Sequence, residues 1–230
     1  KDSMLMARLF MQLKKHSDFN FEVEYLVMNP GYNEINLQTI MNNLQKLSIP
    51  AKVVESNIFE IANSQDKSPC FLCAKMRRGA LYNFAKKMGC NKIALGHHYD
   101  DVIETTLMNL LNSGSFQTML PKLKSTNFEG MELIRPLYLV REDDIKAWRD
   151  YNGLHFIQCA CKFTDTCTTC NNGQNHSKRQ ETKELIRKLK ENNPDVEKCI
   201  FRSVENVHID TVIAYKEKGV RHHFLDDYDA

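Results

Sequence analysis

The residues best suited to chemistry are two thiols and two guanidinium groups in Pro69-Cys70-Phe71-Leu72-Cys73-Ala74-Lys75-Met76-Arg77-Arg78. Cysteines three apart lie on one face of a helix, and Arg77, four residues after Cys73, falls on the same stripe. At a helix N-terminus, unpaired N–H groups and nearby arginines lower a thiol pKa and favour the thiolate that binds metal or attacks an electrophile. The plainer readings are a pair of small apolar side chains, a redox pair, or half of a zinc site. A second set, Gly96-His97-His98-Tyr99-Asp100-Asp101 followed by Glu104, offers the imidazoles and carboxylates of a nucleotide-and-metal site. Its plainer reading is a helix capping box, because Asp101-x-x-Glu104 precedes an apolar run. A third set, Cys159, Cys161, Cys167 and Cys170, lies in a loop rich in Thr and Asn, and thiols grouped in this way point to metal.

Composition narrows the setting for this chemistry. The 230 residues, 42% of them hydrophobic, suit one ordinary domain with an appendage. No apolar run approaches the roughly 18 residues of a membrane span, and no secretory leader is evident, so the expected location is the cytoplasm, with no membrane partner. Reduced thiols are expected there, which leaves Cys90 and Cys199 as structural residues. The net charge of +2 gives no fold-wide basic field. Lysine and arginine nonetheless gather at Lys75 to Arg78, Lys86-Lys87, Lys122 to Lys124, Lys178-Arg179 and Arg187-Lys188, which permits RNA binding without requiring it.

The elements that must position these groups alternate. A helix is predicted from residue 3 to Leu13, with Asp2 and Ser3 as caps whose N–H groups are free to bind an anion. A strand follows over Val23–Met28, closed by Asn29-Pro30-Gly31, then an amphipathic helix from Ile35 to Leu47 and a strand over Lys52–Glu55. A polar loop to Ser68 leads into the Cys70–Cys73 helix, which should stop at Gly89. Asn91–Leu95 reads as a strand, Asp101 onward as a helix ending at Gly114, Leu120–Lys124 as a basic turn and Met131–Ile134 as a strand. Helices are expected from Arg141 and from Ser177, and residues from Arg221 onward read as a polar tail. Strands alternating with helices predict a parallel α/β sheet with ligands at the carboxyl ends of its strands.

Taken together these residues resemble the tRNA 2-thiocytidine synthetase (TtcA) family of PP-loop ATP pyrophosphatases. The resemblance rests on Lys1-Asp2-Ser3 as the end of a Ser-Gly-Gly-x-Asp-Ser loop and on Pro69-Cys70-x-x-Cys73 with Arg77-Arg78. It continues in Leu95-Gly96-His97-His98-x-Asp100-Asp101 with Glu104-Thr105, in Pro121-Lys122-Leu123, and in Ile134-Arg135-Pro136-Leu137. The implied fold is an adenine nucleotide alpha hydrolase, Rossmann-like PP-loop domain over residues 1–158, its N-terminal strand and Gly-rich loop missing here. Residues 159–230 would form a Cys-containing loop and a helical extension. The implied activity is ATP-dependent, iron–sulfur-dependent tRNA thiolation, in which the base C2 oxygen is adenylated and replaced by sulfur.

The resemblance implies a catalytic set of Cys70, Cys73, Asp101 and Arg77, and nucleotide contacts from Lys1, Asp2, Ser3, Gly96, His97 and Asp100. It implies a [4Fe–4S] cluster on Cys70, Cys73 and Cys159, together with ATP and Mg²⁺. Partners would be tRNA and a sulfur donor, either desulfurase-derived or free sulfide, and the protein would be a homodimer. The family's second motif is Pro-Cys-x-x-Cys, whereas this chain has Gln158-Cys159-Ala160-Cys161, so Cys161 stays open as the third ligand. Two alternatives use the same residues: a PP-loop tRNA uridine thiolase, and a zinc-containing nucleotide-binding protein without thiolation activity.

Overall fold

The computed structural model describes residues 1–63, 69–156, 178–226 and 228. Cys159, Cys161, Cys167 and Cys170 lie outside the described residues, as does the Cys70 side chain. The chain runs α1 (Asp2–His16), β1 (Leu26–Asn29), α2 (Glu34–Lys46), β2 (Lys52–Glu55), α3 (Ile58–Asn63), α4 (Pro69–Lys87) and β3 (Lys92–Ala94). It continues through α5 (Tyr99–Ser113), β4 (Lys122–Lys124), β5 (Glu132–Ile134) and α6 (Glu142–Tyr151). The C-terminal part holds α7 (Lys178–Asn192), α8 (Val196–Ser203), a 3₁₀ turn (Ile209–Thr211), and β6 (Ala214–Glu217) with β7 (Val220–His223).

The expected α/β alternation is present. β1 pairs with β2 in parallel from Leu26↔Lys52 to Asn29↔Glu55, and β3 pairs with β5 in parallel from Lys92↔Glu132 to Ala94↔Ile134. Parallel neighbours need a crossover, which α2 supplies for the first pair and α5 for the second. Local chemistry sets the helix ends. The Asn33 side chain accepts the Asn36 N–H at 2.8 Å to start α2, and α4 gives way to Gly89 at φ +75°, as its glycine predicts.

Four details differ from the sequence reading. Lys122–Lys124 is a strand rather than a turn, pairing antiparallel with β5 at the sheet edge. β1 begins at Leu26 rather than Val23. The N-cap of α1 is Lys1, with Asp2 already inside the first turn, so Asp2 and Ser3 are helical residues and not caps. The C-terminal extension adds to its helices an antiparallel hairpin, β6–β7, which includes the first residues of the expected tail.

Three apolar clusters hold the layers. Ala7, Leu44, Leu47, Ile49 and Leu154 join α1 to α2, and Leu5, Met6, Leu137 and Ile145 join α1 to α6. Val102 and Ile103 of α5 pack with Ile186 of α7 and Phe201 of α8. Each of these side chains other than Ala7 contributes roughly 1.5–3 kcal/mol through burial. The C-terminal helices are therefore fastened to the helix that starts at the Gly96-His97-His98 turn.

Candidate active site at the paired strand–helix turns

Gly96 follows β3 and lies against the start of α1. A Cβ at this glycine would come within 3.0 Å of the Ser3 nitrogen and 3.1 Å of the Asp2 carbonyl carbon, so any side chain would force the two backbones apart. Glycine is needed here for close approach. The first intrahelical donors of α1 are Met4 and Leu5, both bonding Lys1 O at 3.1 Å, so the Asp2 and Ser3 N–H groups precede the ladder and carry the positive end of the helix dipole.

His98 is the buried centre of this junction, 4% exposed. Its Nε2 lies 3.5 Å from Asp101 Oδ2 and 3.9 Å from Asp2 Oδ1, while Nδ1 lies 3.7 Å from Asp100 Oδ2 and makes no hydrogen bond among the described residues. Three carboxylates from two turns thus surround one imidazole. The Asp101-x-x-Glu104 capping box does not form: α5 starts at Tyr99 with His98 as its N-cap, and Asp101, at the third helical position, accepts the His98 N–H through Oδ2 at 3.0 Å, while Glu104 bonds Arg179. Asp100 is directed elsewhere, since its Oδ2 accepts the Glu142 N–H at 2.7 Å and caps α6, and its Oδ1 lies 3.3 Å from Arg141.

The C-terminal helix α7 completes the site. Arg179 Nη1 donates to Asp101 Oδ1 at 2.6 Å and to Glu104 Oε2 at 3.0 Å, and Lys183 Nζ lies 3.5 Å from Glu104 Oε1 and 3.3 Å from Glu142 Oε2. Glu104 is 2% exposed, and burial raises its pKa to about 7 against the pull of Lys183 and Arg179. Burial also raises Glu142, yet the Lys1 hydrogen bond and charge, with Lys183 and Lys146, bring it down to about 2. Arg141 bonds Glu197 at 2.7 Å and stacks over the Tyr99 ring, which itself stacks on Phe201 at 4.5 Å. In the sequence, Lys178-Arg179 is legible only as a charge cluster; nothing local in that stretch points to Asp101.

His97 bonds an arginine rather than a carboxylate. Its Nδ1 accepts Arg135 Nε at 3.3 Å, and burial, with the charges of Arg135, Arg179 and Arg78, lowers its pKa against the upward pull of the Asp101 charge. On α4, Cys73 is half-buried, and Arg77 donates to the Tyr32 hydroxyl at 3.4 Å, in the loop after β1. The structure thus gathers Asp2, Ser3, Gly96, His98, Asp100 and Asp101 at one edge, with Lys1 bridging Asp2 at 2.8 Å and Glu142 at 3.1 Å. Among the described residues, no group of three or more His, Cys, Asp or Glu side chains is placed to hold a metal. What remains is a helix start whose first N–H groups precede the intrahelical ladder, flanked by oriented carboxylates.

Parallel strand pairs joined by helices, with the start of one helix packed on the turn after a parallel strand, make the arrangement of a nucleotide-binding α/β domain. The PP-loop domain matches residues 1–165. The chain is 34% identical to a tRNA-cytidine(32) 2-sulfurtransferase of Pseudomonas fluorescens (strain Pf0-1), over 90% of this chain and 73% of that protein. It is 30% identical to the tRNA-cytidine(32) 2-sulfurtransferase of Pelobacter propionicus, over 90% of this chain and 75% of that protein. Among solved structures, the U34-tRNA thiolase NcsA from Methanococcus maripaludis with its [4Fe–4S] cluster superposes with a TM-score of 0.66 at 22% identity, covering 92% of this chain and 71% of that one. The chain belongs to the PP-loop family and, within it, to the TtcA group of these 2-sulfurtransferases.

Proposed function

We propose that this protein is a tRNA sulfurtransferase that consumes ATP to exchange the C2 oxygen of a cytidine for sulfur. The base oxygen attacks the α-phosphorus of ATP, pyrophosphate leaves, and a sulfide equivalent then displaces AMP from C2. The observation that carries this reading is the contact of Gly96 with Asp2 and Ser3, which sets the start of α1 beside His98, Asp100 and Asp101. In this reading the Asp2 and Ser3 N–H groups bind the phosphates, and Lys1, Gly96 and His97 line the nucleotide site. Asp101, oriented through both oxygens, retains lone pairs for Mg²⁺ or for a proton at the base. Asp100 is the weaker candidate for either role because its carboxylate is committed to α6 and Arg141.

The donor set on α4 suits iron: two cysteines three apart at a helix start, where the dipole favours thiolates. Cys70, Cys73 and Cys159 would hold a [4Fe–4S] cluster, with Cys161 the alternative third ligand, and the bound cluster would supply the sulfur-carrying chemistry. Arg77 would orient phosphate near the thiols. We take residues 1–158 as the nucleotide domain and 159–230 as the cysteine loop and extension. The assembly is a cytoplasmic homodimer served by desulfurase-derived sulfur or free sulfide. No described helix is long and apolar enough to cross a membrane.

The test uses anaerobically purified protein, its first helix preceded by the Ser-Gly-Gly turn, with ATP, sulfide and unmodified tRNA. Pyrophosphate release that requires tRNA, with 2-thiocytidine in the nucleoside mass spectrum, is expected. Formation of 2-thiouridine would move the protein to the uridine thiolases, and ATP left intact would defeat the proposal. The protein should be brown, and Cys70→Ala, Cys73→Ala and Cys159→Ala should each bleach it. Iron retained in Cys159→Ala but lost in Cys161→Ala shifts the third ligand, and a colourless protein with zinc favours the non-thiolating alternative.

A further inference from the structure

Arg135, the residue after β5, is a half-buried cation without a carboxylate partner among the described residues. Its Nε is committed to His97 Nδ1 at 3.3 Å, and its Nη1 to the Leu120 carbonyl. A partly desolvated guanidinium that faces only an imidazole and one carbonyl is incompletely compensated. A second arginine stands on the neighbouring helix α4. Tyr82 of α4 is buried and stacked on Phe128 of the β4–β5 connection, at 4.7 Å and 8°. Arg78, four residues earlier, shares that helix face and lies one turn nearer the carboxyl ends of β3 and β5. Its charge acts on both His97 and Arg135, and burial together with Arg78 lowers the Arg135 pKa. Arg78 is exposed and makes no ion pair among the described residues, so two like charges without carboxylate partners there lie near enough to act on each other, and an anion between them would relieve both.

Topology says which anion. In the sheet, β5 lies beside β3, and the start of α1 packs on Gly96 immediately after β3. Arg135 leaves β5 on the strand next out from that junction, toward the edge strand β4, whose residues Lys122, Leu123 and Lys124 are all exposed. A polynucleotide approaching the site would cross this edge. We propose that Arg78 and Arg135 form a subsite for a backbone phosphate of the RNA substrate, one that fixes the register of the strand whose base enters the site beside His97. Paired guanidinium forks match phosphate geometry, and a phosphate contact positions a strand without reading its sequence. The inference rests on the tRNA reading above and deepens it.

The experiment measures binding of unmodified tRNA across a salt series, and binding of ATP without tRNA, for the wild type, Arg78→Gln and Arg135→Lys. Arg78→Gln alters an exposed side chain and leaves the packing intact, while Arg135→Lys keeps the charge but removes the fork. Arg78→Gln should lower the slope of log affinity against log salt by about 1, whereas Arg135→Lys, which keeps its charge, should leave the slope near that of the wild type; each should weaken tRNA binding roughly five- to tenfold at ~100 mM salt, while ATP affinity stays within about twofold. Wild-type tRNA affinity and slope in both variants would overturn the inference. So would weakened ATP binding with tRNA binding intact, which would assign the phosphate to the nucleotide. A wild type that does not bind tRNA sinks the functional reading and this inference with it.

Discussion

Replacing Arg179 with Met removes a guanidinium from two carboxylates in different surroundings, and the two losses differ in their dependence on pH. The contact with Asp101 is 2.6 Å long, but Arg179 is 40% exposed, so the roughly 1.5–3 kcal/mol of a charged hydrogen bond is screened to about 1 kcal/mol. Glu104 is buried, and its folded pKa of about 7 already includes the help of Lys183 and Arg179; without Arg179 it must rise further. A carboxyl whose pKa is raised by folding takes up a proton on folding, so stability falls as pH rises from its unfolded value toward the folded one, and the penalty is complete above it. Near pH 5 both proteins carry neutral Glu104, and they differ by the Asp101 contact and by a weaker hydrogen bond from Arg179 to an uncharged carboxyl. Above about pH 8 the wild type ionises Glu104 between two cations, whereas the variant has Lys183 alone at 3.5 Å. Every pH unit by which the carboxyl rises further costs about 1.4 kcal/mol once it is ionised. The expected destabilisation by urea unfolding is therefore about 1 kcal/mol at pH 5.5 and about 2–3 kcal/mol at pH 8.5. Equal losses at both pH values, or a larger loss in acid, would refute this account of Glu104.

Gly96→Ala should weaken ATP binding at least tenfold by calorimetry, with a stability loss of about 1–3 kcal/mol, because its Cβ meets the Asp2–Ser3 backbone. Unchanged affinity would mean that the two turns need not touch. Asp101→Asn should slow tRNA thiolation at least tenfold, and Asp100→Asn by much less, since an asparagine oxygen can still accept the Glu142 N–H. Equal rates for both variants and the wild type would reduce both acids to helix caps. Ile186→Ala should cost about 2–5 kcal/mol in denaturant unfolding, because the side chain is 5% exposed between α5 and α8. A loss under 1 kcal/mol would show that α7 is held by its charges alone.

Local signals carry most of the architecture. The Asn29-Pro30-Gly31 turn, the Gly89 stop and the apolar spacing of Ile35–Leu47 each act within a few residues, and they place α2, α4 and the parallel strands. β4 escapes such signals because three exposed residues, two of them lysines, resemble a turn until β5 supplies its partner. The β6–β7 hairpin turns at Lys218 and Gly219, with φ of +49° and +87°, so a Lys-Gly pair takes the place that Asn-Gly usually marks. The Gly96–Asp101 turn is legible as a site because glycine, imidazole and carboxylates follow a strand directly. Arg179 and Lys183 are not, since a basic helix start looks the same whether it faces water or a carboxylate 78 residues upstream.

That separation also sets a timetable. Glu104 and Arg179 are 75 residues apart, so joining them closes a loop at about 4 kcal/mol of chain entropy, which the apolar seam of Ile186 and Phe201 must offset. At ~5–20 residues per second, a ribosome delivers Arg179 roughly 4–15 s after Glu104. During that interval the nascent protein carries α5 with Val102 and Ile103 lacking their Ile186 and Phe201 cover and with Asp101 and Glu104 lacking Arg179 and Lys183, a state suited to chaperone capture rather than to nucleotide turnover. Truncation near the C-terminus would therefore disable the active site itself, although every residue of the strand–helix turns had already been made.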